Sequence, residues 1–383
     1  MPEWIVRYID YASHYRSMRE EILATIDDTL DRGDVMLRQQ LTDFESNLAA
    51  FCGTTYAIGV GNCTEGLEIA LRAAGIGPGD EVITVAHTFV ATAAAIHHAG
   101  ATPVFVDIAD DHLVDVTKIH EAVTPKTKAI MPVQLNGRVC DMDEVMRVAD
   151  HEGLLVIEDS AQALGAKLDG KQAGSFGVAG CFSFYPAKLL GTFGDAGAIT
   201  TSDPEMNEKV RLLRNHGRTP DNDIAFWSYN SRMDNIHAAI LSVKMRRLPS
   251  WLERRRKLAA QYHEALTEID ELVLPPQPMD EGLHWDVFQN YEIEAESRDR
   301  LFAHLTSAGV ETMIPWGGRA VHQFSNLGLR QVHLPRTELM MTKALMLPMY
   351  VELTEDKVAY VCDQIRLFYR GSPKSVRAVG LSG

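Results

Sequence analysis

The chain has 383 residues, enough for two or three lobes around a large core, and its 46% hydrophobic and 23% charged content is that of an ordinary globular protein. A formal net charge of −15 argues against nucleic acid or an anionic membrane as the main partner, while leaving room for a small anion held by backbone amides. The five cysteines, Cys52, Cys63, Cys140, Cys181 and Cys362, form no Cys-x-x-Cys pair, so they suggest neither a disulfide framework nor a zinc site and favour a reducing, cytoplasmic setting.

The opening Met-Pro-Glu-Trp-Ile-Val-Arg lacks the basic start and apolar core of a signal peptide, and no apolar window is long enough to span a membrane. Residues 11–33 read as a charged amphipathic helix and residues 40–51 as a second, stopped by Gly53. Short apolar runs follow as candidate strands: Ala57–Gly61, Glu81–Val85, Pro103–Asp107, Lys128–Val133, Leu154–Glu158, Gly180–Phe184 and Gly197–Thr201. Helix-length segments, Glu65–Ala74, Thr88–Ala99 and Met142–Glu152, separate several of them. Such alternation predicts a mostly parallel sheet covered by helices.

The pattern changes near residue 235. Residues 235–270 read as one long helical stretch whose basic run, Arg254-Arg255-Arg256-Lys257, is expected on a solvated face. Leu274-Pro275-Pro276-Gln277-Pro278 marks a linker or turn. A strand near Val287–Ile293 and helices near Arg298–Ala308 and Asp356–Tyr369 make a smaller α+β lobe. The expected division is residues 1–240, an N-terminal arm with a large domain, and 241–383, a linking helix with a small domain.

Three segments carry chemistry. Leu154–Gln162 is an apolar strand ending in two acids, which puts Asp159 where α/β sheets hold ligands, although such an acid also caps helices. Gly180–Lys188 runs a strand through Pro186 into a lysine backed by a glycine-rich loop; an enclosed lysine there is a nucleophile, an open one a surface charge. Gly59-Val60-Gly61-Asn62-Cys63-Thr64 turns a strand end into a helix whose free N–H groups suit a phosphate, without the spacing of a dinucleotide fingerprint or a Walker loop. A phosphate cradle, then a strand-end acid, then a lysine about thirty residues on, is the set that pyridoxal phosphate requires.

With these segments in hand, the chain resembles the DegT/DnrJ/EryC1/StrS family of sugar aminotransferases over roughly residues 8–370, most strongly in Gly75–Thr84, Thr127–Val133, Glu158–Ala166 and Phe182–Ile199. The resemblance implies the fold-type-I, aspartate-aminotransferase-like α/β architecture: a mostly parallel seven-stranded sheet between helices, with a smaller C-terminal α+β domain. It implies pyridoxal 5′-phosphate as cofactor, carried on Lys188 as a Schiff base and passing through pyridoxamine phosphate. By position it assigns Asp159 to the pyridine nitrogen, Gln162 to the ring hydroxyl, Ser183, Cys63 and Thr64 to the phosphate, and Phe89 to the ring face. Asn230 matches an asparagine that reaches the partner's phosphate, which implies a homodimer with shared sites. Lys188, where a dehydrating subset of the family has His, places the chain with the aminating members.

Three departures stand out: Cys63 replaces a glycine, Ser231 replaces an aromatic, and Ile314–His322 replaces a His-Tyr…His pattern where relatives touch the sugar. Trp316, Arg319 and His322 in that last segment are substrate-contact candidates, with packing and surface roles the alternative. The implied reaction moves an amino group from glutamate, released as 2-oxoglutarate, to a nucleotide-activated keto-sugar. Alternatives are a keto-cyclitol or nucleotide-free keto-sugar, and a non-catalytic regulatory homologue. The segment His87–Thr92 leans toward relatives that aminate C3.

Overall fold

The computed structural model describes residues 3–279 and 281–370, so the ends of the two expected domains, residues 1–2 and 371–383, lie outside the described residues. In chain order the strands are β1 (Tyr56–Val60), β2 (Glu81–Val85), β3 (Thr102–Val106), β4 (Thr127–Ile130), β5 (Leu155–Asp159), β6 (Lys167–Leu168) and β7 (Lys171–Gln172). They continue as β8 (Ala179–Ser183), β9 (Gly197–Thr201), β10 (Leu272–Val273), β11 (His284–Trp285), β12 (Tyr291–Ala295) and β13 (Ala344–Leu347). Seven of these form the main sheet in the order β1-β9-β8-β5-β4-β2-β3, each within about a residue or two of its expected start. Only β9 runs against its neighbours, pairing antiparallel with β1 and β8. The other contacts are parallel, so the sheet is mostly parallel as expected.

Alternation along the strands explains why they read as unbroken apolar runs. Ala57, Ile83, Val156, Phe182 and Ala198 point into one apolar layer, with Phe44 and Leu48 of the helix Gln39–Cys52. Their neighbours Ile58, Val82, Ile157, Cys181 and Ile199 point into the other, with Leu67 of Cys63–Ala73 and Ile96 of Val90–His98. A sheet covered on both faces needs apolar residues at every position. All six strands other than β9 end at one edge of this sheet, and β9 begins there.

A second core gathers Tyr262, Tyr291, Ile293, Leu305, Leu347 and Val361 around the small sheet β10-β12-β13. Val6 packs in that same core and bridges to Val310, so the arm's first described residues lie with the second lobe rather than with the sheet they precede.

Three local expectations are corrected. The stretch 235–270 is two helices, Asn235–Met245 and Leu248–Leu266, because Pro249 has no N–H to continue the first helix and suits the opening turn of the next. Lys257 is exposed and Arg254 partly so, as expected, but Arg255 and Arg256 are only 5% and 4% exposed, so half of the basic run is turned inward. Their guanidinium groups instead donate to backbone carbonyls of Phe288, Gln289, Met349 and Asp286. The strand expected from Val287 starts only at Tyr291, because Phe288 adopts φ 50° and breaks the extended chain.

Candidate active site

Successive side chains on β5 face opposite ways, and this separates the two acids at its end. Glu158 turns inward, where its carboxylate accepts from the N–H groups of Gly174 and Phe176 and from Gln134 Nε2 at 2.7–3.0 Å. It holds a loop. Asp159 turns toward the helix Val90–His98, accepting from Thr92 Oγ1 at 2.7 Å and from the Ala161 N–H at 3.2 Å. Thr92 is itself tied to Thr88 by a 2.7 Å hydroxyl contact. Burial pushes the Asp159 carboxyl above its usual range, while the Thr92 bond, the Ala161 amide and the charge of Lys188 pull it back.

The helix start expected to suit a phosphate lies at the exit of β1. Asn62 caps the helix Cys63–Ala73 by accepting from the Glu65 N–H at 2.9 Å, and the N–H groups of Cys63 and Thr64 fall in the first turn, outside the helix's own bonding. Ser183, the last residue of β8, pairs in register with Gly197. A Cβ on Gly197 would stand 2.7 Å from the Cys63 nitrogen, so only glycine lets β9 pass beneath the helix start. Ser183, Cys63 and Thr64 are thereby brought to one place. Ser231, the departure noted above, donates to Glu65 and accepts from the Gly61 N–H at 3.1 Å, which steadies the same turn.

Lys188 follows β8 in a turn closed by its own N–H to the Tyr185 carbonyl at 2.8 Å. Its side chain is half-buried. Burial draws its ammonium below the usual lysine range, with neighbouring Cys63 and Asp159 acting the other way. Strand register agrees: Asp159 lies opposite Cys181, two residues before Ser183, and Ser183 lies opposite Gly197 beneath Cys63, so Lys188, Asp159 and the helix start meet at one edge of the sheet.

Gln162 lies one turn past Asp159, its Oε1 accepting from the Asn136 N–H at 2.9 Å and from Asn290 Nδ2 at 3.1 Å. With the oxygen so engaged, its NH₂ group remains to donate outward. Phe89 caps the helix Val90–His98 and is 55% exposed, leaving a ring face bare at the cleft. Asn230 is exposed on the loop before the helix Asn235–Met245, and its side chain has no hydrogen bond among the described residues.

The three substrate candidates separate. Trp316, at φ 48°, stands edge-on to His87 with ring centroids 5.3 Å apart, close to the Thr88–Thr92 contact. Arg319 is turned out over Phe324 at 4.5 Å, and His322 sits 3.2 Å from Glu338. Residues not anticipated are Asn62, Thr88, Thr92, Asn136 and Asn290. Asn62 carried a signal, an Asn directly before a helix; Thr92, one helical turn past Phe89, carried a fainter one. Away from the cleft, the donor atoms of His120, His151 and Glu152 lie within 4.8 Å of one another, and hydrogen bonding of both rings to one carboxylate oxygen accounts for the cluster.

Orphan amides and hydroxyls facing a phosphate, a buried carboxylate for a ring nitrogen, and an amine of lowered basicity fit pyridoxal phosphate. The DegT/DnrJ/EryC1/StrS aminotransferase family matches residues 16–366. The chain belongs to that family. It is 43% identical over 369 residues to a "Pleiotropic regulatory protein" of Geobacillus stearothermophilus, covering 95% of this chain and 99% of the relative. It is 40% identical over 368 residues to the UDP-N-acetyl-3-dehydro-alpha-D-glucosamine 3-aminotransferase of Acidithiobacillus ferrooxidans, covering 95% and 98%. Among solved structures, DesV of S. venezuelae, in complex with a ketimine intermediate, superposes with a TM-score of 0.92 at 37% identity, covering 97% of this chain and 100% of DesV. Family membership makes the chain an aminotransferase, and the family's cofactor is pyridoxal phosphate, seen in relatives in both pyridoxal and pyridoxamine forms.

Proposed function

We propose that this aminotransferase transfers an amino group from glutamate to a nucleotide-linked keto-sugar in amino-sugar biosynthesis, with Lys188 as the lysine that carries the cofactor and moves the proton. The observation that carries the reading is the meeting of Lys188, Asp159 and the Cys63–Thr64 helix start at one sheet edge, fixed by the register of β5, β8 and β9. When bound, the cofactor supplies an electron sink for the bond-breaking at the amino-bearing carbon.

The chain's own groups do the rest. Cys63 and Thr64 N–H groups, with the Thr64 and Ser183 hydroxyls, would hold the phosphate. Asp159, oriented by Thr92, would pair with the ring nitrogen and keep it protonated. Gln162 would donate to the ring oxygen, and Phe89 would supply an aromatic face to the ring. Lys188, its amine made less basic by burial, would take the proton from the donor's amino-bearing carbon and deliver it to the cofactor carbon across the shared nitrogen, and would carry it in the reverse direction, onto the sugar carbon, in the second half of a ping-pong cycle. Trp316, set against His87, is the substrate contact of this site; Arg319 and His322, engaged with Phe324 and Glu338, fit a supporting role.

Asn230 reaching a partner's phosphate makes the working unit a homodimer. The apolar surface around the cleft supports this: Phe89, Tyr185 and Phe193 are each about half exposed, and Trp227, near Asn230, is fully exposed. Five buried, unpaired cysteines suit a cytoplasmic setting, and no described helix is long and apolar enough to cross a membrane.

Incubating the enzyme with glutamate and a panel of UDP- and dTDP-linked 3-keto and 4-keto sugars, with a keto-cyclitol alongside, should yield an amino-sugar nucleotide by mass spectrometry. Product from the cyclitol alone would replace the substrate assignment. Borohydride reduction followed by peptide mapping should place the cofactor adduct on Lys188, and an adduct on Lys167 or Lys171 would sink that assignment.

A further inference from the structure

Lys188 is held from outside its own segment. The side-chain amide of Gln289, only 5% exposed, spans the peptides on either side of it: Oε1 accepts from the Leu189 N–H at 2.8 Å and Nε2 donates to the Ala187 carbonyl at 2.9 Å. One acceptor and one donor bond fix which way the amide faces. The next residue reaches the other polar holder of the cleft, with Asn290 Nδ2 donating to Gln162 Oε1 at 3.1 Å and to Asn136 Oδ1 at 2.9 Å. Neither residue belongs to the main sheet; both precede β12 of the second lobe.

The backbone that aims these two side chains is over-determined. Phe288, just before them, holds φ 50°, a conformation that a bulky residue keeps only under constraint. Arg255 supplies part of it, donating to the carbonyls of Phe288, Gln289 and Met349 at 2.7–2.9 Å. Gly137 supplies the rest: at φ 92°, a Cβ there would stand 2.8 Å from the backbone nitrogens of both Phe288 and Gln289, so its absence lets the two loops touch.

We infer that Gln289 is a positioning residue for Lys188, clamping the main chain at Ala187 and Leu189 so that the amine moves only through its own side-chain torsions. The inference rests on Lys188 being the cofactor-bearing lysine. Proton transfer demands that the amine stay within hydrogen-bond reach of the reacting carbon, and a clamp on both flanking peptides removes the main-chain motion that would carry it away.

The test uses the full-length, cofactor-loaded enzyme with Gln289→Leu, which fills the same space without either bond, and Gln289→Glu, which keeps the bond from Leu189 but not the one to Ala187. Three readouts are followed: kcat, cofactor Kd, and the pH midpoint of the absorption change of the lysine–cofactor linkage. For Gln289→Leu the expected result is a kcat loss of roughly 10²-fold with the midpoint displaced and Kd held within about threefold. Gln289→Glu should lose less and should raise the midpoint, since a nearby carboxylate favours the protonated linkage. A folded Gln289→Leu with a lower Tm but an unmoved midpoint and unchanged kcat would show a structural role only and overturn the clamp. Should Gln289→Leu not fold, Gln289→Glu is judged by the same midpoint and kcat. Absence of any borohydride adduct on Lys188 in the unaltered enzyme would instead remove the cofactor reading itself, which separates the two failures.

Discussion

Asp159, the acid proposed for the ring nitrogen, is held buried at a cost to the fold. Burial raises its carboxyl above the usual value of 3.8, so its favourable contribution to folding is full below that value and is lost as pH rises through the raised one. At neutral pH the ionised carboxyl therefore weighs against the fold. Asp159→Asn should raise the unfolding midpoint of the cofactor-free protein at pH 7, and the gain should vanish below about pH 4. The same change should cost activity more than cofactor affinity, because losing one charge-assisted bond is worth roughly 1.5–3 kcal/mol in the ground state and more where charge develops. Equal stability at pH 7 by differential scanning, or normal turnover at saturating cofactor, would refute the respective half. Asp159, Lys188 and the Cys63–Thr64 turn were legible because each stands beside a strand end, a feature that sequence displays. Asn136, Gln289 and Asn290 were not, since their partners lie tens to over a hundred residues away and no local pattern announces them, and Thr92 was marked only faintly, by its place one turn past Phe89.

Among the elements, the helix Cys63–Ala73 carries both a stabilising cap and the proposed phosphate site at its first turn. The Asn62 cap there is worth about 1 kcal/mol against alanine. Asn62→Asp would keep the cap, which accepts from the Glu65 N–H, while setting a negative charge beside the phosphate position. Urea denaturation should thus show little change, whereas cofactor binding measured by fluorescence titration should weaken; loss of stability with unchanged binding would place the phosphate elsewhere. Strands of the main sheet were legible because both faces are covered, making each a compact apolar run between turns. The second lobe was less so. Its strand β13 is four residues, Ala344–Leu347, directly following a helix, and nothing in that run distinguishes it from a helix end. The basic run misled because composition favours solvent for arginine, and only tertiary structure supplies the carbonyls that Arg255 and Arg256 satisfy.

For the molecule as a whole, the two lobes are joined by buried charge. Glu294 of β12 meets His112 at 3.0 Å and pairs with Arg336. Burial alone would raise its carboxyl, but those hydrogen bonds and charges hold it at about 2, against an ordinary 4.5. A lowered carboxyl contributes stability above its ordinary value and loses it as pH falls from about 4.5 toward 2. Glu294→Gln should therefore lower stability by on the order of 2 kcal/mol at pH 7, after allowing for solvent screening, and by much less at pH 3. A constant difference across that range, read by urea denaturation, would deny the linkage. At the level of assembly, mixing Lys188→Ala with Asn230→Ala protein gives mixed dimers in which one site carries both lesions and the other neither, provided Asn230 acts across the interface. Activity should then rise well above either parent after subunit exchange, and activity at the parental average would assign Asn230 to its own subunit.

The antiparallel strand β9 also governs when the cleft can exist. It pairs Thr201 with Tyr56 at the start of β1, the strand that leads into the phosphate turn. Contacts so distant in sequence close late, because the entropy of a long loop must be overcome before they form. A chain growing from the ribosome therefore carries the Cys63–Thr64 turn long before the strand beneath it exists, and Gly197 must arrive before that turn has its floor. Cofactor capture thus becomes a clock for the last pairing of the sheet: during refolding its signal should lag the return of helical circular dichroism, and a lag of zero would mean that the turn forms without β9.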